Sequence, residues 1–121
     1  MSSFTSPLYL EYGNGRQWKL TAGFSYVTDV GFGAYSIQVP AGFETDFASI
    51  PRPLWNLLPP TGEYGKAAVI HDYLYRQTNV SRYLCDRVFL EAMGVLGVAW
   101  WKRTLMFLAV RLFGGAARRR Y

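Results

Sequence analysis

Apolar and polar positions alternate along the first forty residues of the chain. Every second position is apolar in residues 8–12 and again in residues 35–39, and residues 24–30 are rich in aromatic and β-branched side chains. A period of two places one face of a strand against a core. Glycine-rich breaks between these runs are typical of turns that join antiparallel strands. The pattern predicts three or four short antiparallel strands between about residues 7 and 40.

Residues 40–60 have a different character. Five prolines lie in this stretch and disfavour any long regular strand or helix. The apolar segment Gly42–Pro51 indicates an ordered loop that packs on the core. Asp46 is a candidate loop-capping residue, while Ser49 has no nucleophile motif around it and is a weaker candidate for chemistry.

Beyond this loop the apolar period becomes helical. Ser81 is the expected N-cap of a second helix, and the pair Gly114–Gly115 is expected to end a third. The three predicted helices span Lys66–Gln77, Arg82 to about Gly97, and Ala99–Phe113.

Length and composition agree with one domain covering residues 1–121. Half of the residues are hydrophobic, so the chain buries a core, but it is too short for two cores. The predicted fold class is α+β, with strands at about 7–40, a proline-rich ordered loop at 40–60 and a three-helix portion at about 65–114. A single cysteine excludes an intramolecular disulfide framework. Residues 1–6 are polar, so we expect no signal peptide.

The net charge of +5 is concentrated in the second half of the chain. Residues 61–121 carry ten lysines and arginines against four acidic residues. This balance suits nucleic acid, anionic lipid or an acidic protein partner and selects none of them. Nucleic acid ranks last, because the aromatic residues are expected to be buried and no known binding motif accompanies the charge.

The third predicted helix is apolar enough to raise the question of a membrane span. Lys102 and Arg103 interrupt its apolar run, which falls short of the roughly 20 residues that a span needs. Together with Arg111 they spread over about half of the helical wheel, which is poor segregation for an interfacial helix. A core helix with basic side chains that reach solvent is favoured, and no transmembrane segment is expected.

Candidate chemistry centres on His71, the single histidine of the chain. On a helix His71 and Tyr75 lie one turn apart on one face, whereas the adjacent Asp72 points about 100° away. His71 would therefore face a water or substrate, and Asp72 a cation or a neighbouring basic group. Asp86 falls in the second turn of the next helix. In an antiparallel hairpin its carboxylate reaches the first helix and orients the imidazole.

The same residues also fit a structural role. A helical histidine beside an aspartate is often a satisfied polar group. In this alternative, Asp86 stabilises only the N-terminal turns of its own helix, or pairs with Arg76 or Arg82. In this interpretation the cluster is a buried polar lock, that is, a set of polar side chains whose mutual hydrogen bonds hold the helices together.

Specific motifs lie in four segments of the chain, Val39–Pro51, Gly62–Tyr75, Asp86–Met93 and Ala109–Gly114. Together these motifs resemble a family of short phage and prophage proteins of unknown function. The resemblance covers about residues 38–115 and implies a phage origin. It suggests a virion, tail or cell-envelope role, location in the virion or host cytoplasm, and partners among other phage structural proteins or cell-envelope components.

A second, local resemblance is to the active-site signature of secreted and parvoviral phospholipases A2. It rests on His71-Asp72-x-x-Tyr75 followed by Cys85-Asp86-Arg87. It implies that His71 activates water, Asp72 binds Ca²⁺, Asp86 orients His71, and Tyr75 hydrogen-bonds the Asp86 carboxylate. The chain departs from that family in having no disulfides, a short spacing from His71 to Asp86, and no glycine-rich calcium loop.

The leading hypothesis is a small phage protein with a hydrolase-like helical site. His71, Asp86 and Tyr75 are its candidate catalytic residues, and Asp72 is its candidate metal ligand. One alternative is a calcium-assisted phospholipase A2-like or envelope hydrolase. The other is a structural adaptor in phage assembly.

Overall fold

Short antiparallel strands precede three helices in the chain, which confirms the predicted α+β class. The computed structural model describes residues 3–4, 10–12, 18–29, 35–45, 65–77 and 80–118, with backbone alone at 3, 10–12, 35 and 114–118. The elements in chain order are β1 (Ser3–Phe4), β2 (Leu10–Tyr12), β3 (Trp18–Leu20), β4 (Phe24–Thr28), β5 (Tyr35–Val39), β6 (Glu44–Thr45), α1 (Gly65–Tyr75), α2 (Arg82–Val95) and α3 (Trp100–Arg118).

The described strands form two antiparallel sheets of three. One has the order β1-β4-β5 and the other the order β2-β3-β6. Along β4, Phe24, Tyr26 and Thr28 are buried while the two residues between them are only partly covered. This confirms the alternation expected of a strand with one face on the core.

Two of these strands were not expected from the sequence. β1 and β6 have two residues each, which is too short to display a period of two. β6 lies within the segment predicted to be a loop and pairs with Trp18 and Lys19 of β3. The turn before it uses Gly42 at φ +89°, a conformation that glycine adopts without strain. The rest of the predicted loop, including Asp46 and Ser49, lies outside the described residues.

The helix boundaries follow the sequence signals at α1 and α2 but not at the end of α3. The Ser81 side chain accepts a hydrogen bond from the Leu84 amide and caps α2 as predicted. The prediction that α3 ends at Gly114–Gly115 is wrong, since the helix continues to Arg118. Each glycine costs a helix only about 1 kcal/mol relative to alanine, and good helix formers follow the pair.

The core lies between the helices and the sheets. Helix α2 packs against both α1 and α3, while α1 contacts β5 and β6, and α2 contacts β4. The largest fully buried side chains are Tyr26, Tyr75, Phe89, Leu20, Ile70, Met93, Met106, His71 and Val39.

Helix α3 is only partly a core helix. Met106 and Val110 are buried, but Trp100, Trp101 and Phe113 are exposed. The expectation that the aromatic residues are buried is therefore wrong for these three. In the described part of the chain, no helix has the length and apolar character to cross a membrane.

Candidate functional site

The candidate site lies where α1 and α2 pack as a helical pair. His71 and Tyr75 come from α1, one turn apart, and Asp86 comes from the second turn of α2. The side chains of His71 and Asp86 are fully buried, and Tyr75 is 1% exposed. The structure thus brings together the three residues predicted to be catalytic.

Asp86 Oδ1 receives two contacts from α1. His71 Nε2 lies 2.6 Å from it, and the Tyr75 hydroxyl donates a hydrogen bond to the same oxygen at 2.6 Å. The imidazole ring is held between two aromatic rings, with centroid distances of 4.1 Å to Tyr75 and 4.7 Å to Phe89. The predicted reach of Asp86 to the first helix is confirmed, and the ring is fixed by packing as well as by hydrogen bonding.

The other oxygen of Asp86 faces α3. Arg111 Nη1 donates a hydrogen bond to Oδ2 at 2.8 Å. Arg82 lies farther away, with Nη1 at 3.9 Å from Oδ2, and donates instead to the main-chain carbonyls of Val110 and Arg111 at 3.2 and 3.0 Å. Sequence reasoning named Arg82 as a partner but missed Arg111, which is the closer one.

These donors keep Asp86 ionised despite its burial. Burial alone raises the pKa of a carboxyl, but the hydrogen bond and electrostatic attraction of the His71 imidazole, followed by the hydrogen bonds of Tyr75 and Arg111, outweigh it. The pKa of Asp86 is therefore lowered from its ordinary value. Burial, followed by the hydrogen bond to Asp86 and the charge of that carboxylate, raises the pKa of Tyr75. Tyr75 thus remains a neutral donor.

The ionised state of Asp86 fixes the roles of the two ring nitrogens of His71. A carboxylate only accepts hydrogen bonds, so the hydrogen between it and His71 belongs to Nε2. A neutral imidazole has one N–H, and its lone pair is then on Nδ1. The arrangement is a histidine–carboxylate dyad, hereafter the dyad of His71 and Asp86.

Asp72 is also fully buried, but it makes different contacts. Its Oδ2 accepts a hydrogen bond from the Thr45 hydroxyl of β6 at 2.5 Å and one from Arg76 Nη2 at 3.4 Å. This confirms the prediction that Asp72 and His71 serve separate partners, with a basic group beside Asp72.

The fit of a calcium ion at Asp72 is poor. Arg76 supplies positive charge on the carboxylate oxygen, and no group of three acidic, histidine or cysteine side chains able to hold a metal occurs among the described residues. The role of Asp72 as a calcium ligand stays a prediction.

A further carboxylate, which sequence reasoning did not single out, joins α2 to the sheet. Glu91 Oε1 accepts from the Tyr26 and Thr28 hydroxyls at 2.8 and 2.7 Å, and Oε2 accepts from the Asp29 amide at 3.0 Å. The one sequence signal for it was the alternation of β4, which places Tyr26 and Thr28 on the inward face. Glu91 fixes α2, and hence Asp86, relative to the sheet.

A surface groove of about 410 Å³ lies elsewhere, between β4, β5 and α1. None of His71, Tyr75 and Asp86 lines it. Its lining residues are Gly23, Phe24, Ser25, Gln38, Val39, Pro40 and Tyr73.

Comparison with known proteins gives a family but no activity. Residues 18–110 match the family described as "Protein of unknown function (DUF1353)". Over 78 residues the chain is 38% identical to "Uncharacterized protein y4jT" of Sinorhizobium fredii (strain NBRC 101917 / NGR234). That alignment covers 63% of the chain and 23% of the relative, so the chain spans about a quarter of the relative's length. No solved structure matches the chain.

Proposed function

The chain belongs to the family described as "Protein of unknown function (DUF1353)", and we propose that it is an ester hydrolase in which His71 is the general base. The contact of 2.6 Å between His71 Nε2 and Asp86 Oδ1 carries this proposal. A carboxylate on one ring nitrogen raises the basicity of the other, which is the arrangement that activates water or a hydroxyl in hydrolases. Tyr75 and Arg111 are positioning residues that hold the carboxylate.

The reaction has two proton transfers. His71 Nδ1 takes a proton from a water molecule as the water oxygen attacks the ester carbonyl carbon. The tetrahedral intermediate collapses with cleavage of the bond between that carbon and the alkoxy oxygen. The imidazolium then returns its proton to the leaving alkoxide, so the products are a carboxylic acid and an alcohol. Asp86 stabilises the imidazolium between the two transfers and does not take up the proton itself.

A membrane lipid ester is the favoured substrate. The arrangement of His71, Tyr75 and Asp86 matches what the resemblance to phospholipases A2 implies for those positions. An amide of the cell envelope is the second substrate class for the same base. No step is assigned to calcium, because the contacts of Asp72 do not assemble a cation site in the described residues.

The complete burial of the dyad favours a second candidate function. His71 and Asp86 are both 0% exposed, so hydrolysis requires an opening of the structure that admits water and substrate. If no such opening occurs, the dyad is a polar lock that fixes α1 against α2, and the protein is a structural adaptor. The phage origin and a virion, tail or envelope location stay predictions from the sequence resemblance.

Replacement of His71 by glutamine separates the two candidates. A glutamine amide retains an N–H donor toward Asp86 but has no basic nitrogen. We expect His71→Gln to abolish fatty-acid release from phosphatidylglycerol vesicles, with retention of the fold by circular dichroism. Tyr75→Phe, which keeps the base and removes one donor to Asp86, should retain reduced activity.

The assay is run with calcium and with a chelator, and in parallel on peptidoglycan. Hydrolysis of neither substrate by the folded wild-type protein would overturn the proposal. So would wild-type rates in His71→Gln. Activity on peptidoglycan alone would reject the lipid ester and identify an envelope amide as the substrate.

A further inference from the structure

We infer that the solvent-facing side of α3 binds the surface of an anionic lipid bilayer. The surface consists of Trp101, Leu105, Leu108 and Leu112, hereafter the outward stripe. Their exposed fractions are 51%, 42%, 52% and 77%. At 3.6 residues per turn, these positions fall within an arc of about 60° on the helix. Four large apolar side chains on one exposed face are unusual in a helix whose opposite face already packs on a core.

Two further exposed apolar side chains flank the outward stripe, one near each of its ends. Trp100 is 71% exposed at the start of α3, and Phe113, 13 residues later in the chain, is 64% exposed. Tryptophan favours the boundary between lipid headgroups and acyl chains, because its ring is apolar and its N–H is polar. The two adjacent tryptophans therefore suit a lipid boundary better than they suit water.

The charge around the outward stripe selects an anionic surface. From Ala92 to Tyr121 the chain contains no aspartate or glutamate, while six basic residues occur in the same stretch, of which Arg111 is paired with Asp86 of α2. Lys102 lies within the first turn of α3, beside Trp101, with its Nζ 5.8 Å from the indole ring centroid. A lysine or arginine near an anionic bilayer is attracted by the negative charge of the lipid headgroups. Apolar and electrostatic contributions thus favour the same partner.

The same charge disfavours pairing of α3 with a second copy of itself. The spacing of the outward stripe resembles the seam of a coiled coil, in which acidic and basic flanks of the two helices attract each other. Here Lys102 lies on one flank, Arg111 on the other flank is already paired with Asp86, and the segment Ala92–Tyr121 contains no acidic residue that could pair with Lys102 of a second copy. Two copies would therefore bring like charges together.

Binding of α3 to a bilayer does not require hydrolysis by the protein. Vesicle binding is measured without turnover, and the outward stripe shares no residue with the dyad of His71 and Asp86. The two are nevertheless joined through α3, because Arg111 on this helix donates to Asp86 Oδ2.

Sedimentation with vesicles tests the inference. We expect the protein to bind vesicles containing about one quarter phosphatidylglycerol at least about tenfold more strongly than pure phosphatidylcholine vesicles, and to dissociate in about 0.5 M salt. The double variant Leu108→Gln/Leu112→Gln should lose at least about tenfold in binding. Both positions are exposed, so the variant should keep the wild-type circular dichroism spectrum.

Val95→Gln is the matched control. Val95 is an exposed apolar residue of α2, 43% exposed, and lies outside the outward stripe. Its replacement should leave vesicle binding unchanged. Equal binding to both vesicle types, or wild-type binding by the double variant, would overturn the inference. A third result would also overturn it: the wild-type protein is a dimer in solution and does not bind vesicles, whereas the double variant is a monomer. The partner of the outward stripe would then be a second copy of the chain.

Discussion

Arg111 and Asp86 form the link between the third helix and the buried dyad, with Nη1 and Oδ2 2.8 Å apart. Arg111 thereby supplies a full positive charge to a carboxylate that is completely buried. Without it, Asp86 would rely on His71, Tyr75 and the more distant Arg82. The dyad therefore depends on the position of a helix that contributes no candidate catalytic residue.

Replacement of Arg111 by methionine should destabilise the protein by about 2–3 kcal/mol. Methionine retains much of the aliphatic length but removes the donor, and an incompletely compensated charge stays buried at Asp86. The free energy of unfolding in urea measures the loss. Arg87→Met is the control, because the Arg87 side chain donates to the Tyr83 hydroxyl on the exposed side of α2. A loss no larger than that of the control would show that Arg82 suffices for Asp86.

Acid should destabilise the protein through Asp86. Its pKa is lowered in the folded state, so the carboxylate contributes stability at all pH values above the unfolded value of about 3.9. That contribution is lost as the pH falls below about 3.9 through the folded pKa. We expect Asp86→Asn to be less stable at neutral pH and to lose less stability than the wild-type protein on acidification. Parallel pH dependences of the two unfolding free energies would contradict the lowered pKa.

Replacement of Glu91 by glutamine should loosen α2 from the sheet. Both carboxylate oxygens of Glu91 accept hydrogen bonds. A glutamine that keeps its oxygen on the Asp29 amide must turn its NH₂ toward the Tyr26 and Thr28 hydroxyls, which then accept instead of donating, and the carboxylate charge that strengthens these bonds is lost. We expect a loss of about 1–3 kcal/mol in the free energy of unfolding. Glu44→Gln, at an exposed position of β6, should change it by less than about 0.5 kcal/mol.

The dyad was within reach of sequence reasoning because its residues are close in the chain. His71 and Tyr75 share a helical face at a spacing of four, and Ser81 marks the start of the next helix. Once the two helices form a hairpin, Asp86 in the second turn of α2 is placed next to α1. Local geometry therefore predicted the contact of His71 with Asp86, and the structure confirms it.

The contacts that were missed depend on tertiary packing. Arg111 is 25 residues from Asp86 and Glu91 is 65 residues from Tyr26, and no local period connects either pair. The end of α3 was misplaced because a glycine pair is a strong stop signal only where the next residue leaves the helical conformation. The exposed face of α3 was missed because an apolar helix gives the same sequence signal whether its second face meets a core or an outside partner.

The two arginines at the contact of α2 with α3 also set the rotation of α3 about its own axis. Arg82 holds main-chain carbonyls of α3, and Arg111 of α3 holds Asp86. A rotation by one residue, about 100°, would remove Arg111 from its carboxylate and turn the outward stripe toward the core. The contact of Arg111 with Asp86 thus fixes the rotation of α3, a helix that lies partly at the surface. A substitution of Asp86 would therefore change which face of α3 is exposed to solvent, although Asp86 itself is buried.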